Sequence, residues 1–111
     1  MAEIRYYSET EVVAQVEGVT VARLRTWVAA HCLAPTEREG RLAFVDADVA
    51  RARLLAELSD DFGMDEDAAG MVLSLIDQIH GLRHRLRGLG AALADEPDEV
   101  RARIRARLQR P

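Results

Sequence analysis

Hydrophobic residues between Ala68 and Leu93 recur at alternating intervals of three and four positions. This spacing is typical of a helix that lays one narrow apolar stripe against another helix. The sequence therefore predicts a long helix, and we expect its stripe to form the seam of a homodimer, with the direction of pairing left open. The residues of the predicted seam are Val72, Leu75, Ile79, Leu82, Leu86 and Leu89.

Two shorter helices are predicted ahead of this one. Ser8 and Glu11 have the spacing of a capping box, which predicts a helix to about Val16. After a turn at Gly18, Thr20 is expected to cap a second helix that runs to about His31. Two short helices joined by a glycine turn form a helix-turn-helix unit. The apolar face predicted for the second helix consists of Val21, Leu24, Trp27 and Val28.

The segment after the second helix predicts a β-hairpin. Pro35 ends the helix, and two short stretches on either side of Glu39-Gly40 read as strands joined by a tight turn. A hairpin directly after a helix-turn-helix unit is a wing. The predicted fold class is therefore mainly α, a winged helix-turn-helix head with a small β-hairpin wing and a long C-terminal helix.

Further helices follow the hairpin. Asp46 or Asp48 is expected to cap a third helix to about Ser59, and Pro97 to open a last helix to about Gln109. Acidic residues 65–67 are expected to cap the long helix. The inward face predicted for the third helix consists of Val49, Leu54, Leu55 and Leu58. The predicted organisation is a head over 1–64, a core-packing and dimerising helix over 65–93, and an Arg-rich C-terminal helix or tail over 94–111.

Composition narrows the class of protein. A hydrophobic share of 49% suffices for a core and excludes disorder of the whole chain, and an aromatic share of 5% makes that core aliphatic. The single cysteine, Cys32, excludes an internal disulfide and is expected to be a small buried thiol. The sequence shows neither a signal peptide nor a run of membrane-spanning length. We therefore expect a cytoplasmic protein without a membrane partner.

The charges are distributed unevenly along the chain. Residues 1–79 hold seven arginines against fifteen acidic residues, whereas residues 80–111 hold eight arginines against four. No lysine is present, so every basic side chain other than histidine is a guanidinium. An acidic first part and a basic end indicate partners selected by charge, with self-neutralisation in a dimer as the alternative.

No enzyme is indicated by the sequence. It contains no phosphate-binding loop, no dinucleotide-binding glycine pattern and no nucleophile with a local signature, and we expect no cofactor. His80 and His84 lie four apart on the long helix, with Asp77 three residues before the first, which is a spacing that zinc could use. A complete set of ligands is missing, so we expect these histidines to face solvent and predict no metal site.

The shape of the predicted head suggests DNA binding, but its charge does not. The arginines available for phosphate contacts would be Arg23, Arg25, Arg38 and Arg41. Five glutamates lie in the same segment, between residues 8 and 45, which leaves it slightly acidic. Because DNA affinity comes mainly from cationic side chains on phosphates, a dimeric DNA-binding regulator is the alternative rather than the preferred function.

A cluster of acidic residues surrounds an apolar side chain where the third helix meets the long helix. We call Glu57, Asp60, Asp61, Phe62 and Glu66 the acidic corner. The number of acidic residues here is larger than capping of the long helix requires. A negative rim around an apolar residue is suited to a basic protein partner, so the acidic corner is the predicted binding site.

The order of elements resembles a known family. Residues 20–45 are similar to the head of MerR-type regulators, through Leu24-Arg25-Thr26-Trp27 and a hairpin that ends in Phe44-Val45. A closer resemblance, to the CbpM-type chaperone modulators of the same fold, covers about residues 4–93. The residues that carry it are Phe44-Val45-Asp46, the helix 49–58, Asp60-Asp61-Phe62-Gly63 and the segment 70–83.

This resemblance implies a function in chaperone regulation. CbpM-type proteins bind the J-domain of a DnaJ-like, CbpA-type co-chaperone and inhibit its cooperation with a DnaK-type chaperone. J-domains carry a basic helix where they meet DnaK, so an acidic inhibitor surface is expected. The cysteine pairs of metal-sensing relatives are missing from this sequence, so the resemblance implies no metal sensing. The resemblance does not itself assign the acidic corner to the J-domain; that assignment follows from charge.

Overall fold

The computed structural model describes residues 3–110 and shows a mainly helical chain with one antiparallel hairpin, as predicted. The chain divides into two compact units, of which the first ends at Ser74 and the second begins at Leu75. Among these residues no helix is both long and apolar enough to cross a membrane. The elements are α1 (Glu9–Gln15), α2 (Val21–Ala29), β1 (Thr36–Arg38), β2 (Arg41–Ala43), α3 (Asp46–Asp60), α4 (Glu66–Ala94) and α5 (Asp98–Leu108).

The predicted caps of α1 and α2 are confirmed. The Oγ of Ser8 accepts a hydrogen bond from the backbone N–H of Glu11, and the Glu11 carboxylate accepts one from the N–H of Ser8, both at 3.1 Å. The Oγ1 of Thr20 accepts from the N–H of Arg23 at 3.1 Å. α2 ends at Ala29, earlier than predicted, because His31 adopts a left-handed φ of 62° that no helix can continue.

Of the two residues predicted to cap α3, Asp48 takes part in the cap and Asp46 does not. Val45 occupies the N-cap position, and its backbone N–H donates to the Oδ2 of the buried Asp48 at 3.0 Å. Asp46 is the first helical residue, and its carboxylate accepts a hydrogen bond from the Tyr7 hydroxyl at 2.6 Å. This hydrogen bond raises the pKa of Tyr7. The Asp46 side chain, which local spacing had assigned to the cap, is thus bound by Tyr7, 39 positions away in the sequence.

The hairpin forms where the sequence predicts it. Thr36 pairs with Ala43 across the strands, and the turn at Glu39 and Gly40 has φ values of 53° and 76°. Positive φ at both central turn residues matches the twist of the strands, and glycine adopts it without strain. Tyr7 and Phe44 form a further antiparallel bridge, so the chain ahead of α1 is tied to the end of the hairpin.

The core of the first unit joins all of its helices. The first turns of α4 contribute Ala69 and Leu73 to it. Three of the residues predicted to face inward on α3 are buried, but Leu54 is only half-buried, while Ala52 and Ala56 are buried instead. The largest fully buried side chains are Trp27, Phe44, Leu24, Leu55, Leu73 and Val12.

The second unit consists of the rest of α4 and of α5. α4 continues through Gly90 to Ala94, although glycine lowers helix stability by roughly 1 kcal/mol relative to alanine. α5 follows Pro97, whose missing N–H costs nothing at a helix start. The helix predicted from Pro97 to about Gln109 in the Arg-rich C-terminal segment is therefore confirmed.

Candidate interaction surfaces

The first unit contains an open acidic cleft of about 570 Å³ between the α1–α2 turn and the last turns of α3. Three residues of the acidic corner line it, and Arg53 is the only basic side chain among the residues around the cleft within 3–110. The acids that line the cleft are Glu17, Glu57, Asp60 and Asp61. Sequence reasoning missed Glu17, because it lies about 40 positions from the corner and only folding brings the turn against α3.

Gly18 allows this turn to approach α3 closely. Its φ of 81° is rarely adopted by other residues, and a Cβ atom at this position would lie 2.9 Å from the Oδ2 of Asp60. Any side chain at position 18 would thus strain the backbone and displace the Asp60 carboxylate. The wall of the cleft therefore depends on glycine at this turn.

Arg23 holds Asp60 in place from the other side of the turn. Its two terminal nitrogens donate to the two Asp60 carboxylate oxygens at 3.0 and 3.1 Å, and one of them also donates to the Gly18 carbonyl at 2.9 Å. The guanidinium lies 5.0 Å from the centre of the Trp27 ring. Asp60 was predicted to contact a partner, but in the structure it is paired within the chain, so its charge is largely compensated.

The Arg23–Asp60 pair leads to a prediction for acid solution. The hydrogen bonds from Arg23 lower the pKa of Asp60 below its usual 3.8. A carboxyl group with a lowered folded-state pKa stabilises the fold above its unfolded-state pKa, and this contribution is lost as the pH falls through the folded value. Asp60→Asn is therefore expected to be less stable than the parent at neutral pH, with a difference that shrinks below pH 3.8 and vanishes once the pH is below the lowered pKa of the folded state. Urea unfolding across a pH series measures this, and a difference that does not change with pH would contradict it.

Other members of the acidic corner remain available to a partner. Phe62 follows α3 and is 72% exposed, and Glu57 and Asp61 are exposed on the last turn of α3 and directly after it. Glu66 is the first residue of α4 and does not line the cleft. The structure thus brings Glu57 and Asp61 together with Glu17 at the cleft.

Arginines proposed for the DNA-binding alternative are largely engaged inside the first unit. Besides Arg23, the Nε of Arg25 donates to the Glu9 carboxylate at 2.9 Å. The Arg38 guanidinium lies 4.0 Å from the centre of the Tyr6 ring. Arg41 lines a smaller cleft of about 370 Å³ together with the Arg25–Glu9 pair. Phosphate contacts from the terminal nitrogens of Arg23 would compete with Asp60, whereas Arg25 uses only its Nε in the pair with Glu9.

A stripe of exposed apolar residues lies on α4 in the second unit. Its members are between 47% and 66% exposed, although each is a large aliphatic side chain. Val72, which was predicted as part of the same seam, belongs to the first unit and is half-buried against its core. The stripe therefore consists of Leu75, Ile79, Leu82, Leu86 and Leu89.

The side chains considered for metal or thiol chemistry show no cluster. Cys32 is buried, as predicted, and burial raises the pKa of its thiol, with a smaller contribution from Glu66. His80 and His84 are exposed on α4. Within residues 3–110 no group of three or more histidine, cysteine or acidic side chains is placed to hold a metal ion.

Comparison with known proteins gives no further assignment. No family model, no curated protein and no solved structure matches this chain.

Proposed function

We propose that this protein is a chaperone modulator that binds the J-domain of a DnaJ-like co-chaperone through the acidic corner and inhibits its cooperation with a DnaK-type chaperone. The observation that carries the proposal is the exposure of Phe62, which directly follows Asp61 of the acidic cleft. An apolar side chain in water, next to uncompensated carboxylates, suits a partner surface that is both apolar and basic. The resemblance of residues 4–93 to CbpM-type modulators supports this choice of partner.

The charged contacts are assigned to Glu57 and Asp61, with Glu17 beside them. Asp60 contributes mainly by keeping the α1–α2 turn against α3, because its carboxylate is held by Arg23. A basic helix of a J-domain would place guanidinium or ammonium groups over the cleft and an apolar residue against Phe62. When the basic helix of the J-domain is covered in this way, it can no longer contact DnaK, and this accounts for the inhibition.

In this proposal, α1, α2 and the hairpin form a winged helix-turn-helix head of the MerR type that serves protein binding. The pairing of Arg23 with Asp60 and of Arg25 with Glu9 favours protein binding over DNA binding. DNA affinity comes mainly from the counterions that DNA releases when protein cations neutralise its phosphates, and a cation already paired with a carboxylate releases few of them. A dimeric DNA-binding regulator is the competing function.

The chain is also proposed to form a homodimer through the α4 stripe. Five large aliphatic side chains exposed along one helix face form an apolar patch of the kind that marks interaction sites. Their heptad spacing matches the seam of a two-helix pairing. A homodimer would present two acidic corners to its partners.

A double charge reversal tests the proposed partner. Glu57→Arg with Asp61→Arg is expected to abolish capture of a purified J-domain, because two attractive contacts become repulsive. Both side chains are exposed, so the far-UV circular dichroism spectrum should not change. The matched control is Glu37→Arg with Glu39→Arg, which makes the same change in net charge on the exposed hairpin and should leave capture intact.

The outcomes separate the two functions. Undiminished J-domain capture by the double reversal would exclude the acidic corner as the site. Failure of the parent protein to capture any J-domain, combined with a salt-sensitive specific complex in a gel-shift titration, would favour the DNA-binding regulator.

A further inference from the structure

A second groove, of about 290 Å³, lies within the second unit between the last turns of α4 and α5. Its floor is apolar and includes Leu93, Ile104 and Leu108, the last of which is 78% exposed. Arg101 and Arg105 project from α5 at the same groove. An apolar floor beside two guanidinium groups selects a segment that combines an apolar side chain with carboxylates.

The charges at this groove are only partly compensated. Arg101 forms an ion pair with Asp98 one turn earlier on α5. Its Nε–H is buried and has no hydrogen-bond acceptor among residues 3–110. Arg105 forms no ion pair with any other described residue. Residues 75–111 as a whole hold eight arginines against five acids, so nearby carboxylates do not neutralise the groove.

One segment with the required chemistry is present on every copy of this chain. The acidic corner presents the exposed Phe62 beside Glu57 and Asp61, and residues 1–74 hold fourteen acids against seven arginines. We propose that the acidic corner of one copy docks in the α4–α5 groove of a second copy. Phe62 then covers the apolar floor, and the carboxylates meet Arg105 and Arg101 of the other copy.

This contact joins two different surfaces and is distinct from the helix seam. A head-to-tail contact leaves an unfilled corner at one end and an unfilled groove at the other, so it propagates beyond two copies unless it closes into a ring. Resting on the proposed function, the contact also has a regulatory consequence. It covers the surface assigned to the J-domain, so self-association and J-domain binding exclude each other.

The test uses the full chain carrying Leu82→Asp, which disrupts the α4 stripe and leaves the corner and the groove unchanged. In this background Phe62→Ala removes the apolar anchor and Arg105→Glu reverses a groove charge. Sedimentation velocity at low salt is expected to show self-association of the background and a loss of about tenfold or more in affinity for each variant alone. An equimolar mixture of the two variants should associate again, because one retains an intact groove and the other an intact corner.

Matched controls separate docking from general effects. Gly90 lines the groove and Gly88 does not, and a Cβ atom at either position meets nothing within 4 Å. Gly90→Leu should therefore block association by filling the groove, whereas Gly88→Leu should leave association intact. Arg103→Glu makes the same charge change as Arg105→Glu on α5 outside the groove, and should have a much smaller effect.

Two results would overturn the proposal. One is a Leu82→Asp protein that stays monomeric at every concentration at low salt. In that case the groove would bind a different acidic protein and not a second copy of this chain. The other is a mixture of Phe62→Ala and Arg105→Glu chains that fails to associate. J-domain capture is measured separately with the Gly90→Leu chain, whose corner is intact. Loss of self-association with retained capture by this chain supports both proposals. Lack of capture by this chain, together with normal self-association of the Leu82→Asp background, contradicts only the proposed function.

Discussion

Replacement of Trp27 by alanine is expected to lower the free energy of unfolding by about 3–5 kcal/mol, the range for deleting a buried large aromatic side chain. Trp27 is 1% exposed and lies in the core of the first unit. The Arg23 guanidinium above its ring would lose that contact as well. Because small domains are stable by only about 5–15 kcal/mol, this single change removes much of the stability.

The measurement is urea unfolding followed by circular dichroism, since Trp27 is the only tryptophan and its fluorescence disappears with it. All proteins are compared at one low concentration at which the chains are largely dissociated, because association shifts apparent stability. Phe62→Ala is the matched control, an aromatic deletion at an exposed position, expected to change stability by less than about 0.5 kcal/mol. Equal losses for the two variants would contradict the burial of Trp27.

Replacement of Leu82 by aspartate is expected to dissociate the proposed homodimer. Leu82 lies in the middle of the α4 stripe and is exposed in the protomer, so the fold itself should be unaffected. Each dimer loses two leucines from its interface, each contributing about 1.5–3 kcal/mol on burial. Placing two carboxylates in an apolar seam costs further free energy. The dissociation constant should therefore rise by about 100-fold or more.

Sedimentation equilibrium measures this change. It is done at physiological salt, which screens the charged contact between corner and groove, so that the helix seam dominates association. His84→Asp is the control, since it adds a carboxylate to the same helix at an exposed position outside the stripe and should leave the dimer intact. A parent protein that is monomeric at high concentration would contradict the seam. So would a Leu82→Asp dimer as tight as that of the parent.

Much of the secondary structure could be predicted because it depends on interactions between neighbours in the sequence. The capping box at Ser8, the Thr20 cap and the turn at Glu39-Gly40 involve residues three positions apart or fewer, and all are confirmed. Asp48 takes part in the cap of α3, but Asp46 does not, and its carboxylate has a distant partner in Tyr7. Ala52 and Ala56 lie three and seven positions after Val49, so helical periodicity places them on the same buried face, but the prediction counted only large apolar side chains.

The candidate site could be predicted only in outline. Charge and spacing indicated an acidic corner with Phe62, and the structure shows Phe62 exposed there. The sequence could not indicate that Glu17 joins the cleft or that Asp60 is paired, because both depend on the approach of the α1–α2 turn to α3. The groove between α4 and α5 was likewise not predicted, since it forms only where two helices pack.

The sequence by itself determined the helices, the hairpin and the overall division of charge, because capping, turn conformation and periodicity act over a few residues. Only the tertiary structure decided which charges are available to a partner. Arg23 and Asp60 are 37 positions apart, and their hydrogen bonds compensate one carboxylate of the acidic corner while those around it stay exposed. Ion pairing falls off steeply with distance, so the availability of each charge depends on which segments the folded chain brings together.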